Sequence, residues 1–153
     1  MRLDIVKAFR DSTGEMFAQI VGPVDEMEAM AMLPTPLAGR DVTAVIELEG
    51  EARGRVIFDM DLATAMRLAG RMLEAPAPVM TPMAQSAIAE LASMIIGHAI
   101  SAINDQGTRV RMEPPQVGDA GLASSDICFE TLAFPVQTPF GEVRVNVMIH
   151  DLD

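Results

Sequence analysis

The sequence predicts a single α+β domain: an antiparallel sheet with two long helices packed on one face, assembled from two halves of similar plan. Three observations predict it. Two long segments, 2–21 and 81–106, carry apolar residues at helical spacing. Shorter segments carry them at alternate positions, and two of their joins read as hairpin turns. The order is helix, two strands, helix, then helix and three strands, so a helix–strand–strand plan recurs without a residue-level repeat. Antiparallel strands with long helices on one side give this class. The 153 residues suffice for one domain spanning 1–153, since single domains cluster at roughly 100–150 residues.

The elements follow in order. Over 2–21, Leu3, Val6, Phe9, Thr13, Met16, Phe17 and Ile20 recur with helical period, weakened only at Gly14, and Gly22-Pro23 ends the helix. Residues 22–40 form a connector with Pro23, Pro34 and Pro36, an exposed acidic run at 25–28, and a short helical turn around 25–32. In DVTAVIELEG, Val42, Ala44, Ile46 and Leu48 alternate with Thr43, Val45, Glu47 and Glu49. In RGRVIFDM, Gly54, Val56, Phe58 and Met60 share one face. With GEARG as the turn, this is a hairpin with one buried face. Asp61 caps a helix over DLATAMRLAGRMLE, with Leu62, Ala65, Met66, Ala69, Met72 and Leu73 inward.

Residues 75–81 link the two halves. Thr81 as N-cap and Pro82 at the first helical position start a second long helix, which runs to Gln106 and stops at Gly107, roughly 37 Å long. TRVRMEPPQVGDAG follows, then DICFETLAFPVQTP and GEVRVNVMIH, the last two joined by a TPFG turn.

The long helix poses the question of function. SAIAELASMIIGHAISAIN is apolar almost throughout, yet Ser86, Glu90, Ser93, Gly97, Ser101 and Asn104 fall within about 80° of one another on a helical wheel. Ala84, Ile88, Leu91, Ile95, Ala99 and Ala102 lie opposite. Every surface helix has a wet face, but ordinary ones use Lys, Glu, Arg and Gln, which favour helix, not Ser and Gly. A low, smooth stripe also lets another protein approach the backbone closely.

Composition excludes several classes. A net charge of −11 argues against nucleic acid, which requires clustered Lys and Arg, and against an anionic membrane surface. The N-terminus, MRLDIVKAFRDST, has no signal-peptide core. The one segment long enough to span a bilayer, 82–103, carries Glu90 and His98 and reads as a core helix. A cytoplasmic protein is expected. The single cysteine, Cys128, forms no internal disulfide and falls in an apolar run that reads as a buried thiol. The thirteen methionines read as core filler. His98 and His150 lack companion ligands, so no metal site is expected. His98 reads as a satisfied helix histidine and His150 as part of a solvated tail. No nucleophile elbow, GxGxxG or phosphate loop is present.

SAIAELASMIIGHA resembles the active-site helix of the CheC/CheX/FliY group, and CheX most. The motif there is Asp or Ser, three residues, Glu, two residues, Asn, then about twenty-two residues and a Pro. Ser86, Glu90 and the position of Ser93 match, and Pro114 and Pro115 fall one or two residues before the expected Pro. The resemblance extends to the N-terminal helix with Val6, Phe9 and Phe17, to VIELEGEARGRVIFDM, LATAMRLAGRMLE and EPPQVGDAG, and to the closing FPVQTPFGEVRVNVMI.

The resemblance implies a CheC-like fold with the active-site helix outermost on one side, and often a homodimer through the sheets, for which the C-terminal strands would serve. It implies that this chain binds a phosphorylated CheY-type receiver domain and promotes hydrolysis of its aspartyl phosphate. By the same resemblance Glu90 would engage the receiver's lysine, Ser93 would face the phosphoryl group, and Ser86, Gly97 and Ser101 would shape the contact. On this resemblance the chain is expected to bind no cofactor of its own, with Mg²⁺ supplied by the receiver. One residue departs from the pattern: the family's Asn, which orients the attacking water, is Ser93 here. A hydroxyl is donor and acceptor like an amide, but it stops roughly one to two ångströms nearer the backbone, and a misplacement of about 1 Å costs up to 10²-fold in rate. The alternatives are therefore a phospho-receiver binding module of little catalytic power and a flagellar-switch-like structural protein.

Overall fold

A computed structural model describes residues 3–24, 31–33, 40–123 and 131–151. Helix α1, Leu3–Ile20, runs unbroken through Gly14. It buries Ile5, Val6, Phe9 and Phe17, while the buried Thr13 hydroxyl donates to the Phe9 carbonyl at 2.6 Å, which satisfies it inside the helix. Gly22, at φ +139°, turns the chain out. A three-residue strand β1, Ala31–Leu33, replaces part of the helical turn expected around 25–32. The rest of that turn, the acidic run at 25–28 and Cys128 lie outside the described residues.

Strands β2, Val42–Gly50, and β3, Ala52–Met60, form the expected hairpin, but they extend into GEARG and leave Glu51 alone between them. Val42, Ala44, Ile46 and Leu48 are buried, as are Val56, Phe58 and Met60 across the ladder. The opposite face is not open as the alternation suggested: Thr43, Val45, Ile57 and Asp59 are buried too, with Leu122 packed on Val45, Ile57 and Met148.

Helix α2, Leu62–Leu73, is capped by Asp61, whose Oδ1 accepts the Thr64 N–H at 2.7 Å. Its inner face is rotated from expectation. Leu62 is exposed while Thr64 and Leu68 are buried, and the turn through Gly141 leans on the first turn of α2 at Thr64. A Cβ at Gly141 would lie 2.1 Å from Thr64 Oγ1, so glycine is required there for contact as well as for its φ of +137°.

Helix α3, Pro82–Asp105, is followed by β4, Val110–Met112, and β5, Gln116–Gly118. The region read as one strand is two, because Pro114 and Pro115 have no N–H to continue a ladder. Both pieces pair with β2. A 3-10 turn over Ala120–Ala123 precedes β6, Thr131–Thr138, and β7, Gly141–Asp151. His150 therefore lies in a strand, opposite Arg53 of β3, and not in a tail.

The sheet is wholly antiparallel, in the order β1-β6-β7-β3-β2-β4, with β5 also on β2. The two hairpins, β2–β3 and β6–β7, meet at the centre through β3 and β7. Each half lends its edge strand to the other's hairpin: β1 pairs with β6, while β4 and β5 pair with β2. Because β7 is interior, only β6 of the C-terminal strands lies near an edge, beneath β1. Helix α3 covers the β2–β4–β5 side and touches both α1 and α2, and α1 lies toward β6 and β7. By length and a mean hydropathy of 1.5, α3 alone among the described helices would suffice to cross a membrane. Its burial against the sheet and α1 instead makes it a core helix.

Candidate functional site

The site candidates stand on α3, and three contacts fix that helix. Thr81 Oγ1 accepts the Ala84 N–H at 3.1 Å, with Pro82 opening the first turn. At the other end Asn104 Oδ1 accepts the Val110 N–H at 2.8 Å, tying the helix to β4. On the flank His98 Nε2 lies 3.3 Å from Glu15 Oε2 of α1. Asn104 is thus part of the frame, and His98 is partnered by a carboxylate.

Ala84, Ile88, Leu91, Ile95 and Ala99 point into the core as the wheel predicts, while Ala102 is only half-buried, and Ala87, Ala92, Ile96, Ile100 and Ile103 join them. On the free face Ser86, Glu90 and Ser101 are exposed, and Ser93 and Gly97 are half-buried. Helix geometry therefore sets Glu90 and Ser93 on one face, at the close i,i+3 spacing of about 5–6 Å between Cβ atoms. Among the described residues, nothing hydrogen-bonds or ion-pairs with the side chains of Ser86, Glu90, Ser93 or Ser101. A carboxylate and a hydroxyl that bond to no other described residue are available to something outside the molecule.

Gly97 is more telling. A Cβ there would lie 4.0 Å from Met112 Cε and near nothing else, an ordinary contact. Packing within the chain does not demand glycine at this point of the helix, although glycine costs about 0.8–1.0 kcal/mol relative to alanine there. Pro114 and Pro115 sit just beyond Met112, in the break between β4 and β5, the strands that border the helix.

The surface is open. Two grooves exist elsewhere: one of about 540 Å³ between α2 and the 74–78 segment, and one of about 630 Å³ lined by Glu49–Glu51, Asn104 and Arg109–Arg111. Neither includes Glu90 or Ser93. Small-molecule sites are concave; Glu90 and Ser93 stand instead on an exposed helix face outside both grooves. Among the described residues no cluster of three His, Cys, Asp or Glu could hold a metal ion, and Glu90 has no second carboxylate beside it on its stripe. The flanking residues that sequence reading passed over are Met83 and Met94, which it assigned to the core and which stand exposed on the same side of α3.

Comparison with known proteins supports the geometry. No curated protein sequence gives a significant match. Among solved structures, a chain from the CheX–CheY–BeF₃–Mg²⁺ complex of Borrelia burgdorferi superposes with a TM-score of 0.83 at 21% identity, covering 98% of this chain and 100% of that one. A CheC-like superfamily protein from Shewanella sp. PV-4 gives 0.82 at 18% identity, covering 98% and 99%. The chemotaxis protein CheX from Desulfovibrio desulfuricans gives 0.78 at 22% identity, covering 96% and 99%. These likenesses establish the fold. The sequence profile described as chemotaxis phosphatase CheX matches residues 42–126, which is more than half of the chain and takes in the central hairpin and all of α3. The two-hairpin sheet, the α3 stripe and this match together make the chain a member of the CheX family.

Proposed function

We propose that this protein binds a phosphorylated CheY-type receiver domain in the cytoplasm and promotes hydrolysis of its aspartyl phosphate. The observation that carries the reading is the state of Glu90 and Ser93: exposed and half-buried respectively, without partners among the described residues, on the free face of a fixed helix. The solved complex of a Borrelia burgdorferi CheX with CheY, BeF₃ and Mg²⁺ supports the partner class.

In this reading Glu90 meets the receiver's lysine and Ser93 faces the phosphoryl group. Water attacks phosphorus, the bond from phosphorus to the aspartyl oxygen breaks, and inorganic phosphate and the free carboxylate result. The Mg²⁺ of the receiver neutralises charge on the phosphoryl oxygens. The CheX chain adds positioning: the Ser93 hydroxyl accepts from or donates to the water, and docking excludes bulk solvent. Homodimerisation through the sheet belongs to the same proposal, and sedimentation of the purified chain reads it directly.

Ser93 also favours a second reading, in which docking is retained and catalysis is weak. One experiment separates the two. The decay of a phosphorylated CheY-type receiver is followed alone and with the wild-type chain, Glu90→Ala and Ser93→Asn. Acceleration by the wild type that Glu90→Ala abolishes supports the phosphatase. Acceleration by Ser93→Asn alone, toward the 10²-fold set by about 1 Å of reach, makes the natural protein a binder. Decay unaffected by every variant refutes both.

A further inference from the structure

Four large apolar side chains stand in the open on the described surface: Leu62, Val79, Met83 and Met94. Two of them frame Glu90. Met83, 67% exposed, lies two turns before it, and Met94, 38% exposed, one turn after. On the wheel they fall about 20° and 40° to one side of the carboxylate. The line from Met83 to Met94 is about 16 Å long at 1.5 Å per residue, and Glu90 stands between its ends.

Along this part of the helix itself the surroundings are neutral, with the Glu15–His98 pair beyond them on the flank. From Pro82 to Gly97 the helix carries one charge, that of Glu90, in a chain whose net charge is −11. The folding of α3 does not call for exposed methionine, since Lys, Glu and Gln form helix equally well and dissolve better. A lone carboxylate in a neutral, apolar rim complements a lone ammonium in an apolar surface, because excluding water strengthens the attraction between them. Unbranched thioether side chains adapt to such a surface.

We propose that Met83 and Met94 are partner-contacting residues that seat the phosphorylated receiver domain and shield the Glu90–lysine pair from water on two sides. The inference rests on the docking reading of α3 given above. It assigns the two methionines to affinity and not to the chemical step.

The test measures binding of a CheY-type receiver, loaded with beryllofluoride and Mg²⁺, to the wild-type chain, Met83→Gln, Met94→Gln, the double variant, Glu90→Ala and Leu62→Gln. Glutamine keeps length and helix propensity while removing the apolar end, and Leu62→Gln controls for an exposed apolar residue on α2. Each methionine variant is expected to weaken binding roughly three- to tenfold and the pair roughly 10- to 100-fold, with Leu62→Gln within about twofold. In the dephosphorylation assay the methionine variants raise the half-saturating concentration and leave the saturated rate unchanged. If the wild type binds, Glu90→Ala abolishes binding and the double methionine variant binds like the wild type, this inference is overturned while the docking reading stands. If the wild type does not bind, the docking reading falls and takes the inference with it.

Discussion

Replacing Gly97 with alanine sets what the helix prefers against what a partner requires. Gly97 lies in the interior of α3, where glycine is less favourable than alanine by about 0.8–1.0 kcal/mol. The added Cβ would sit 4.0 Å from Met112 Cε, an ordinary contact, so nothing among the described residues opposes the change. At about 2–4 °C per kcal/mol for a chain of this size, Gly97→Ala should melt roughly 2–4 °C higher. The same methyl projects onto the free face between Ser93 and Ser101. If a receiver domain approaches the backbone there, the methyl holds it off. An affinity loss of about tenfold, equal to about 1.4 kcal/mol, is then expected. Thermal melts and titration calorimetry with the beryllofluoride-loaded receiver read the two effects on one protein preparation. The reasoning is refuted by a lower melting temperature, which would mean that internal packing demands the glycine. It is equally refuted by unchanged affinity, which would mean that nothing approaches the helix at that point.

The remaining predictions concern the frame. Asp59 is fully buried and accepts from Arg144 Nε at 2.8 Å and from the Arg40 N–H at 3.1 Å. Asp59→Ala strands the Arg144 guanidinium, which is only partly exposed, and should cost about 2–4 kcal/mol, somewhat below the range for a wholly buried pair, read as a lower urea midpoint at unchanged slope. Acid should also destabilise the fold. The Thr64 N–H, donating to Asp61, holds that carboxyl below its ordinary range, with Arg40 and Arg67 nearby adding to this. Burial alone would raise Glu142, but hydrogen bonds from Arg40 and Gln137, with the nearby charge of Arg144, bring it below its ordinary value. Groups with lowered folded pKa values stabilise fully above their unfolded values, about 4, and lose that contribution as pH falls through the folded ones. Melting temperature should therefore decline below about pH 4, with the decline shallower in an Asp61→Asn, Glu142→Gln variant; an identical profile would exclude these two groups as its cause.

The parts of the fold that were legible in the sequence are those where one physical rule decides. Thr81-Pro82 and Gly107 bound α3, Asp61 caps α2, and alternation through Val42–Leu48 marks a strand. The parts that were not legible depend on contacts distant in sequence. Leu68 turns inward in place of Leu62, with the Gly141 turn packed on Thr64, and no local period records that. Val45 and Ile57 are buried on the face expected to be wet because Leu122 and Met148 join them there. The strand β1 is three residues long and exists through its pairing with β6. At the site, the periodicity of α3 gave Ser86, Glu90, Ser93, Gly97 and Ser101 correctly as one face, but Asn104, on the same stripe, belongs to the frame through its bond to Val110. Met83 and Met94 were hidden by their own chemistry, since an exposed methionine and a core methionine look alike in a sequence with thirteen.

Ser93 and Gly97 make sense together on the docking reading. Capping by Thr81, the Asn104 bond to β4, the His98–Glu15 contact and the ten buried residues of α3 hold the helix in place. Its backbone cannot advance to compensate for a short side chain. If the residue facing the phosphoryl group reaches one bond less than an amide would, the missing distance has to be recovered by the partner coming closer. A partner can do so only where the helix presents little side chain, and apart from Glu90 the face around Ser93 consists of Ser86, Ala89, Gly97 and Ser101. The same small residues that lower the helix propensity of α3 are those that permit a short hydroxyl to reach. A larger residue at 97 would restore helix stability and remove that approach, so on this reading the short hydroxyl at 93 and the glycine one turn later are two parts of one geometry.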